Sequence, residues 1–356
     1  MNSMMKICLC SLLLAVSGFC ASTFGINRLS ISLIAWSDDY SGSNSVTVQE
    51  LYNVIGGNSP EVILGKIYLE QPSDSTGGVN AMKNYINSLY EKNNDTLFSL
   101  LGNSYSNISS PDGIDLESIQ SDVDGGNIPT TNEHIAAFLN SYAPQIIIDV
   151  ENLLSYNKAN TINFTSILFD IEPGSSASSA NSIKGLYYLL YFTRKYMDNI
   201  GLSGIGIETT LSWNQVQNSS SSTLISEVFG ETLSQPLIIS LLLDENGIVS
   251  NVFAMLYRGS SQLIDNDNIE ETTWWTVYVA PSFSQMPKTG IMTITPSIGL
   301  NDGDPSPLLT HIQLLSFMTD YSSSSDSILE EYKGVISPQI LGVHSLSGFY
   351  NIFQSK

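Results

Sequence analysis

Eight short apolar runs, each bounded by turn residues, recur along the chain and constrain its fold more than any other feature. They run from Leu29 to Trp36, Val62 to Leu69, Thr96 to Leu101, Ser166 to Ile171, Gly204 to Leu211, Val252 to Tyr257, Gly290 to Thr295 and Ile340 to Leu346. Near-continuous apolar runs of this length predict strands covered on both faces, as in a parallel sheet. Apolar residues at helical spacing fill several of the intervals: Gly78 to Lys92, His134 to Leu154 (one or two helices), Ala177 to Asn199 and Leu308 to Tyr321. Ser/Asn/Asp/Gly-rich stretches at Asn103 to Thr131, Asn218 to Ser222 and Gly299 to Ser306 read as loops. This alternation predicts an α/β fold, a (β/α)8 barrel forming a single domain with long loops. A doubly wound open sheet satisfies the same strand count.

The 356 residues carry 13 Lys and Arg against 34 Asp and Glu, a formal net charge of −21. Such a charge repels phosphate backbones and anionic lipid, so no nucleic-acid partner is expected. At the N-terminus, Lys6 precedes an apolar run from Ile7 to Val16 that is too short to cross a membrane, and small residues follow. This pattern predicts a secretory signal peptide cleaved after Ala21 or Ser22, and hence a barrel over residues 22–356. The expected location is secreted or extracytoplasmic. Lipidation at Cys20 is the lesser alternative, because Phe19 is too bulky for the usual lipidation motif. All three cysteines, Cys8, Cys10 and Cys20, lie in or beside the leader, so the mature chain is expected to have no disulfide. No later segment reads as membrane-inserted, and a monomer is expected.

The most informative segment is Phe164-Thr-Ser-Ile-Leu-Phe-Asp-Ile-Glu-Pro173. Strand side chains alternate, so Leu168, Asp170 and Glu172 share one face and Ile167, Phe169 and Ile171 the other. In a barrel the first face is the lumen, and its C-terminal end is where active sites sit. Asp170 and Glu172 would then have Cα atoms roughly 6–7 Å apart. Two partly dehydrated carboxylates this close resist ionising together, so one keeps its proton and can act as a general acid. The alternative for an Asp-x-Glu pair is to cap a strand end or the next helix.

Phe164 to Glu172 resembles the fourth strand of glycoside hydrolase family 18, the chitinases and endo-β-N-acetylglucosaminidases, which reads F-D-G-x-D-x-D-x-E. Phe164, Asp170 and Glu172 match, whereas Thr165 and Leu168 stand at the first two aspartates and Ser166 at the glycine. Ser99 and Gly102 match the third-strand S-x-G-G, with Leu101 replacing a glycine. Met255 and Tyr257 match the sixth-strand M-x-Y-D, with Arg258 replacing the aspartate. In Leu341-Gly-Val-His-Ser-Leu-Ser347 the eighth-strand glycine and serine are kept, and Leu346 replaces the tryptophan. The resemblance covers about Leu29 to Tyr350.

The resemblance implies a (β/α)8 barrel that hydrolyses β-1,4-linked N-acetylglucosamine-containing glycans, with a polysaccharide or oligosaccharide as its partner. It implies a substrate-assisted retaining mechanism in place of the usual pair of protein carboxylates. Glu172 would be the general acid/base, Asp170 would orient the acetamide and Tyr257 would hydrogen-bond its oxygen. Met255 and Arg258 would lie beside the sugar. The departures carry their own expectations. Leu168 removes a buried partner of Asp170 and desolvates it, Arg258 inverts a charge, and Leu346 removes the floor under the sugar. They motivate an alternative, a catalytically weak or inactive glycan-binding barrel.

Trp36 at the end of the first strand, and Trp213 with Asn214 after the fifth, are candidates to stack on or hydrogen-bond a sugar, although each tryptophan could simply pack at the rim. Trp274 and Trp275 are similar, with core packing the stronger reading. Glu208 is a possible second carboxylate for an ordinary glycosidase mechanism, and Tyr68 and Glu70 are weaker candidates. His134, His311 and His344 are far apart and form no metal-ligand motif, so no metal or cofactor is expected. His344 reads best as a satisfied core histidine.

Overall fold

In β1 (Arg28–Ala35) apolar and polar residues alternate, and the strand uses both faces. Leu29, Ile31, Leu33 and Ala35 are fully buried in the main core, whereas Ile34 joins a second, smaller apolar cluster. The same division recurs around the molecule, because the main core lies between strands and helices and the smaller cluster lies inside a barrel. The computed structural model describes residues 28–43, 45–56, 61–72, 76–102, 105–106, 114–172, 180–212, 248–255, 264–265, 268–269, 293–299 and 340–354.

The further barrel strands are β2 (Glu61–Glu70), β3 (Leu97–Leu101), β4 (Ser166–Phe169), β5 (Gly206–Ser212), β6 (Asn251–Met255), β7 (Thr293–Gly299) and β8 (Ile340–His344). They pair in parallel in the order of the chain, and β8 pairs back onto β1, so the barrel closes. The helices are α1 (Ser37–Ser41), α2 (Val48–Ile55), α3 (Thr76–Lys92), α4 (Leu116–Asp124), α5 (Asn132–Tyr142), α6 (Pro144–Ala159), α7 (Ala180–Asn199) and α8 (Leu346–Gln354). The expected (β/α)8 barrel is therefore the observed fold, and the open sheet is not.

A bulge in β2 determines what faces the lumen. Ile31 pairs with Leu64, but Ser32 pairs with Lys66, so Gly65 is the extra residue. Before it Val62 and Leu64 pack in the main core, and after it Ile67 and Leu69 do. The extra residue thus reverses the alternation and turns Lys66 and Tyr68 inward. A Cβ at position 65 would lie 1.9 Å from Ser30 Oγ, so a larger residue there requires the Ser30 side chain to turn away.

Local signals explain the helices. Thr47 and Glu50 form a reciprocal cap on α2, with Glu50 N to Thr47 Oγ1 at 3.2 Å and Thr47 N to Glu50 Oε2 at 2.9 Å. Asp115 accepts Ser118 N at 3.0 Å at the start of α4, and Pro144 occupies the first turn of α6. The structure corrects the expectation of a loop from Asn103 to Thr131. That stretch contains α4, whose Leu116, Ile119 and Val123 form a buried stripe. The eighth strand ends at His344, two residues before the expected end, because Leu346 begins α8. The seventh strand lies later than expected, and α1 and α2 were not anticipated. The segments from Leu308 to Tyr321 and Asn218 to Ser222 lie outside the described residues.

Candidate active site

The lumen-facing residues of β4 to β6 build the site from below. Leu168 pairs in register with Glu208, and Glu208 pairs with Asn251. Leu168, Ile34, Tyr68, Leu101 and Phe253 form the lumen's apolar cluster. Ile167, Phe169 and Ile171 belong to the outer core, as predicted, and Leu168 to the lumen cluster.

Glu208 is 1% exposed, yet it is surrounded by donors. Lys66 Nζ forms an ion pair with Oε1. Tyr68 OH donates to Oε2 at 2.8 Å, and Asn251 Nδ2 donates to Oε2 at 2.9 Å. Ser166 Oγ lies 3.0 Å from Ser99 Oγ in the same layer. Burial by itself would raise the Glu208 carboxyl, but the Lys66 charge and the hydrogen bonds from Lys66, Ser166 and Asn251 outweigh it. The carboxyl is held below its usual range. Tyr68 moves the other way, its hydroxyl pushed well up by burial and by the Glu208 charge. Glu208 is thus a sealed, ionised carboxylate. Because it does not reach solvent and its oxygens are engaged by Lys66, Tyr68 and Asn251, it is poorly placed for the role of second catalytic carboxylate that the sequence left open.

Asp170 lies at the C-terminal end of the lumen. The β4–β5 ladder ends at Phe169 and Thr209, and Asp170 itself falls between strand segments. Its carboxyl is 6% exposed and accepts a 2.8 Å hydrogen bond from Thr210 Oγ1. Ile171 and Glu172 then pair in parallel with Tyr105 and Ser106, so the chain resumes extended backbone with a new neighbour. The backbone of Glu172 is described and its side chain is not. Met255 ends β6 in register with Ser212 and Ser297, and its side chain likewise lies outside the described residues. Tyr257, Arg258, Trp213, Asn214, Trp274 and Trp275 also lie outside them.

Trp36, directly after β1, packs half-buried on the lumen cluster. His344, at the end of β8, meets it edge-on, with ring centroids 5.6 Å apart and an interplanar angle of 89°. His344 is therefore a mouth residue rather than a core one. Its place near the end of the eighth apolar run was the available signal. Asp39, 7% exposed, accepts Trp36 N at 3.0 Å. Burial raises its carboxyl above the usual range, against the opposing effect of Ser347, Trp36 N and the His344 charge. Glu70 Oε2 accepts Ser37 N at 2.9 Å and Ser37 Oγ at 2.8 Å, which ties the end of β2 to α1. Leu346 is fully buried in the outer core. The residue in the family's tryptophan position is therefore turned away from the lumen.

Among the described residues no group of His, Cys, Asp and Glu is arranged to hold a metal ion, and no helix is long and apolar enough to cross a membrane. A cavity of about 530 Å³ lies between α2 and α3, lined by Tyr40, Gln49, Asn84 and Tyr85, and it contains none of the candidate residues.

No family model matches the chain, and no curated protein does. Among solved structures it is similar to a GH18 chitinase from Cycas revoluta in complex with (GlcNAc)3, at 12% identity over 92% of this chain and 99% of that one, with a TM-score of 0.45. It is similar to the spore cortex-lytic enzyme SleL of Bacillus cereus at 14% identity, over 92% and 74% of the two chains, with a TM-score of 0.45. The xylanase and alpha-amylase inhibitor protein of Scadoxus multiflorus is similar at 10% identity, over 92% and 98%, with a TM-score of 0.41.

Proposed function

We propose that this chain is an exported glycoside hydrolase that cleaves β-1,4-linked N-acetylglucosamine-containing glycans by substrate-assisted retaining catalysis. The observation that carries the reading is Asp170, buried at the C-terminal end of β4 and hydrogen-bonded by Thr210, with Glu172 two residues on in the short strand that pairs with Tyr105 and Ser106. Active sites of this fold lie at that end of the barrel.

In this mechanism Glu172 protonates the glycosidic oxygen. The substrate's acetamide oxygen attacks the anomeric carbon, and the aglycone leaves with the proton from Glu172. Asp170 orients the acetamide and offsets the positive charge that develops on its nitrogen, and Tyr257 donates to its oxygen. Glu172, now ionised, then takes a proton from water as the water opens the oxazolinium ring. Trp36, Trp213, Asn214, Met255 and Arg258 contact the sugars.

A second reading, a glycan-binding barrel without turnover, is favoured by one observation. Leu168 lies in an apolar lumen layer where the resemblance places an aspartate that hydrogen-bonds the Asp170 position.

Hydrolysis of fluorogenic chitobiose and chitotriose substrates, compared between wild type and Glu172→Gln, tests the first reading. Removal of the general acid is expected to cost about 10²–10⁴-fold in turnover. Oligosaccharide binding by a wild type that does not turn over would support the second reading. Neither turnover nor binding would overturn both.

A further inference from the structure

We infer that Asp39 is the positioning residue for Trp36. Its buried carboxyl ties the backbone of Trp36 to the start of α8 and so holds the indole at the mouth of the barrel. The inference rests on the reading of Trp36 as a residue that contacts the sugar.

The barrel ladders stop short of Trp36. The β1–β2 pairing ends at Ala35 and Leu69, and the β1–β8 pairing ends at Ile34 and His344. Asp39 takes over beyond them. Trp36 N donates to Asp39 Oδ2 at 3.0 Å, and Asp39 N donates to Trp36 O at 2.9 Å. An acid in the third position of a helix that reaches back to the N–H of the preceding cap residue is half of a capping box. Here the cap residue is Trp36, with φ −70° and ψ 159°. Bonds to both its N–H and its carbonyl fix those angles, and the angles aim the indole.

Asp39 is in turn held from the far end of the chain. Its carboxyl accepts hydrogen bonds from the hydroxyl and the backbone N–H of Ser347, in the first turn of α8. Its own carbonyl accepts Val46 N at 2.7 Å. Leu346, beside Ser347, is fully buried in the outer core, which anchors that end of the link. One carboxyl therefore joins the segment after β1 to the segment after β8, where the first and last strands close the barrel.

The held residue rests on the lumen cluster and meets His344 edge-on. A ring already in place when a sugar arrives spares the cost of ordering it on binding, worth about three- to tenfold in affinity. Asp39 supplies this through Trp36 and need not touch the sugar.

The test labels the four tryptophans, Trp36, Trp213, Trp274 and Trp275, with 5-fluorotryptophan, and the Trp36 ¹⁹F signal is assigned from Trp36→Phe. Asp39→Ala is expected to shift and broaden the Trp36 signal and leave the other three in place. Asp39→Asn, which keeps one acceptor oxygen, is expected to restore most of it. If Asp39→Ala does not fold, as judged by thermal melting, Ser347→Ala removes only a hydroxyl donor to Asp39 and is expected to move the same signal. An unchanged Trp36 signal in the folded variant overturns the inference, whatever happens to the melting temperature.

Titration calorimetry with chitotriose supplies the functional readout. Asp39→Ala is expected to weaken binding about three- to tenfold in the wild-type background and not at all in Trp36→Ala. An equal loss in both backgrounds would mean that Asp39 acts by another route and would overturn the inference. The fluorine spectrum needs no sugar. A wild type that binds no chitotriose would overturn the reading of Trp36 as a sugar contact, and the spectrum would still decide whether Asp39 positions it.

Discussion

Leu168 on β4 and Glu208 on β5 are direct register partners, a hydrocarbon side chain beside a buried carboxylate in the lumen. The resemblance places a carboxylate at position 168. Here that position is a leucine inside the apolar cluster, and the buried carboxylate stands one strand over, at position 208.

This relationship makes Leu168→Asp destabilising rather than activating. The new carboxyl would lie among Ile34, Tyr68, Leu101 and Phe253 beside an ionised Glu208. Burial without a partner and like-charge repulsion are expected to cost about 3 kcal/mol or more. A chemical-denaturation midpoint at least as high as that of wild type would refute this.

Lys66→Met leaves Glu208 buried without its cation. A loss of about 3 kcal/mol is expected, whereas Lys66→Met combined with Glu208→Met should recover most of it. A double-mutant cycle on denaturant midpoints measures the coupling, and purely additive single effects would exclude it.

The two displaced carboxyls predict opposite pH trends. Glu208 is held below the usual glutamate range in the folded protein. Its stabilisation is present above the unfolded value of about 4.3 and is lost as pH falls through the lower native value. Asp39 is raised. Its stabilisation is full below the unfolded value of about 3.9 and is lost as pH rises through the native value. Melting temperature against pH should therefore fall less steeply below about pH 4.3 for Glu208→Gln than for wild type. For Asp39→Asn the loss of stability just above about pH 4 should disappear.

Trp36 rests on the lumen cluster and meets His344 edge-on. If its exposed part stacks on a sugar, Trp36→Ala should weaken oligosaccharide binding about tenfold, the scale of one aromatic contact. Titration calorimetry with chitotriose measures this, and unchanged affinity would assign Trp36 to packing alone.

Much of the fold was legible because strand and helix periods are local. The spacing of Met82, Tyr85, Ile86 and Tyr90 predicts α3; Met82, Tyr85 and Ile86 are buried, whereas Tyr90 is exposed. The alternation from Ile167 to Ile171 correctly separated outer core from lumen. Helix α4 was missed although Asp115 capped it and its stripe was present, because the surrounding polar residues masked three apolar positions. In the site, Asp170 was found at a strand end. Thr210 was not, since nothing near it in the chain distinguishes it from an ordinary strand threonine.

The sequence by itself determined the alternating elements, the lumen facing of Leu168 and Asp170, and the position of Asp170 at the end of a strand. Each follows from spacing over a few residues. Only the tertiary structure decided that Gly65 is a bulge, that Lys66 therefore turns inward, and that it meets Glu208 142 residues away. It also decided that Leu346 packs outward and that Thr210 reaches Asp170. The reason is physical. Periodicity along one strand fixes which residues share a face, but closure of the barrel fixes which strands are neighbours and in what register. Contacts across the lumen depend on that closure.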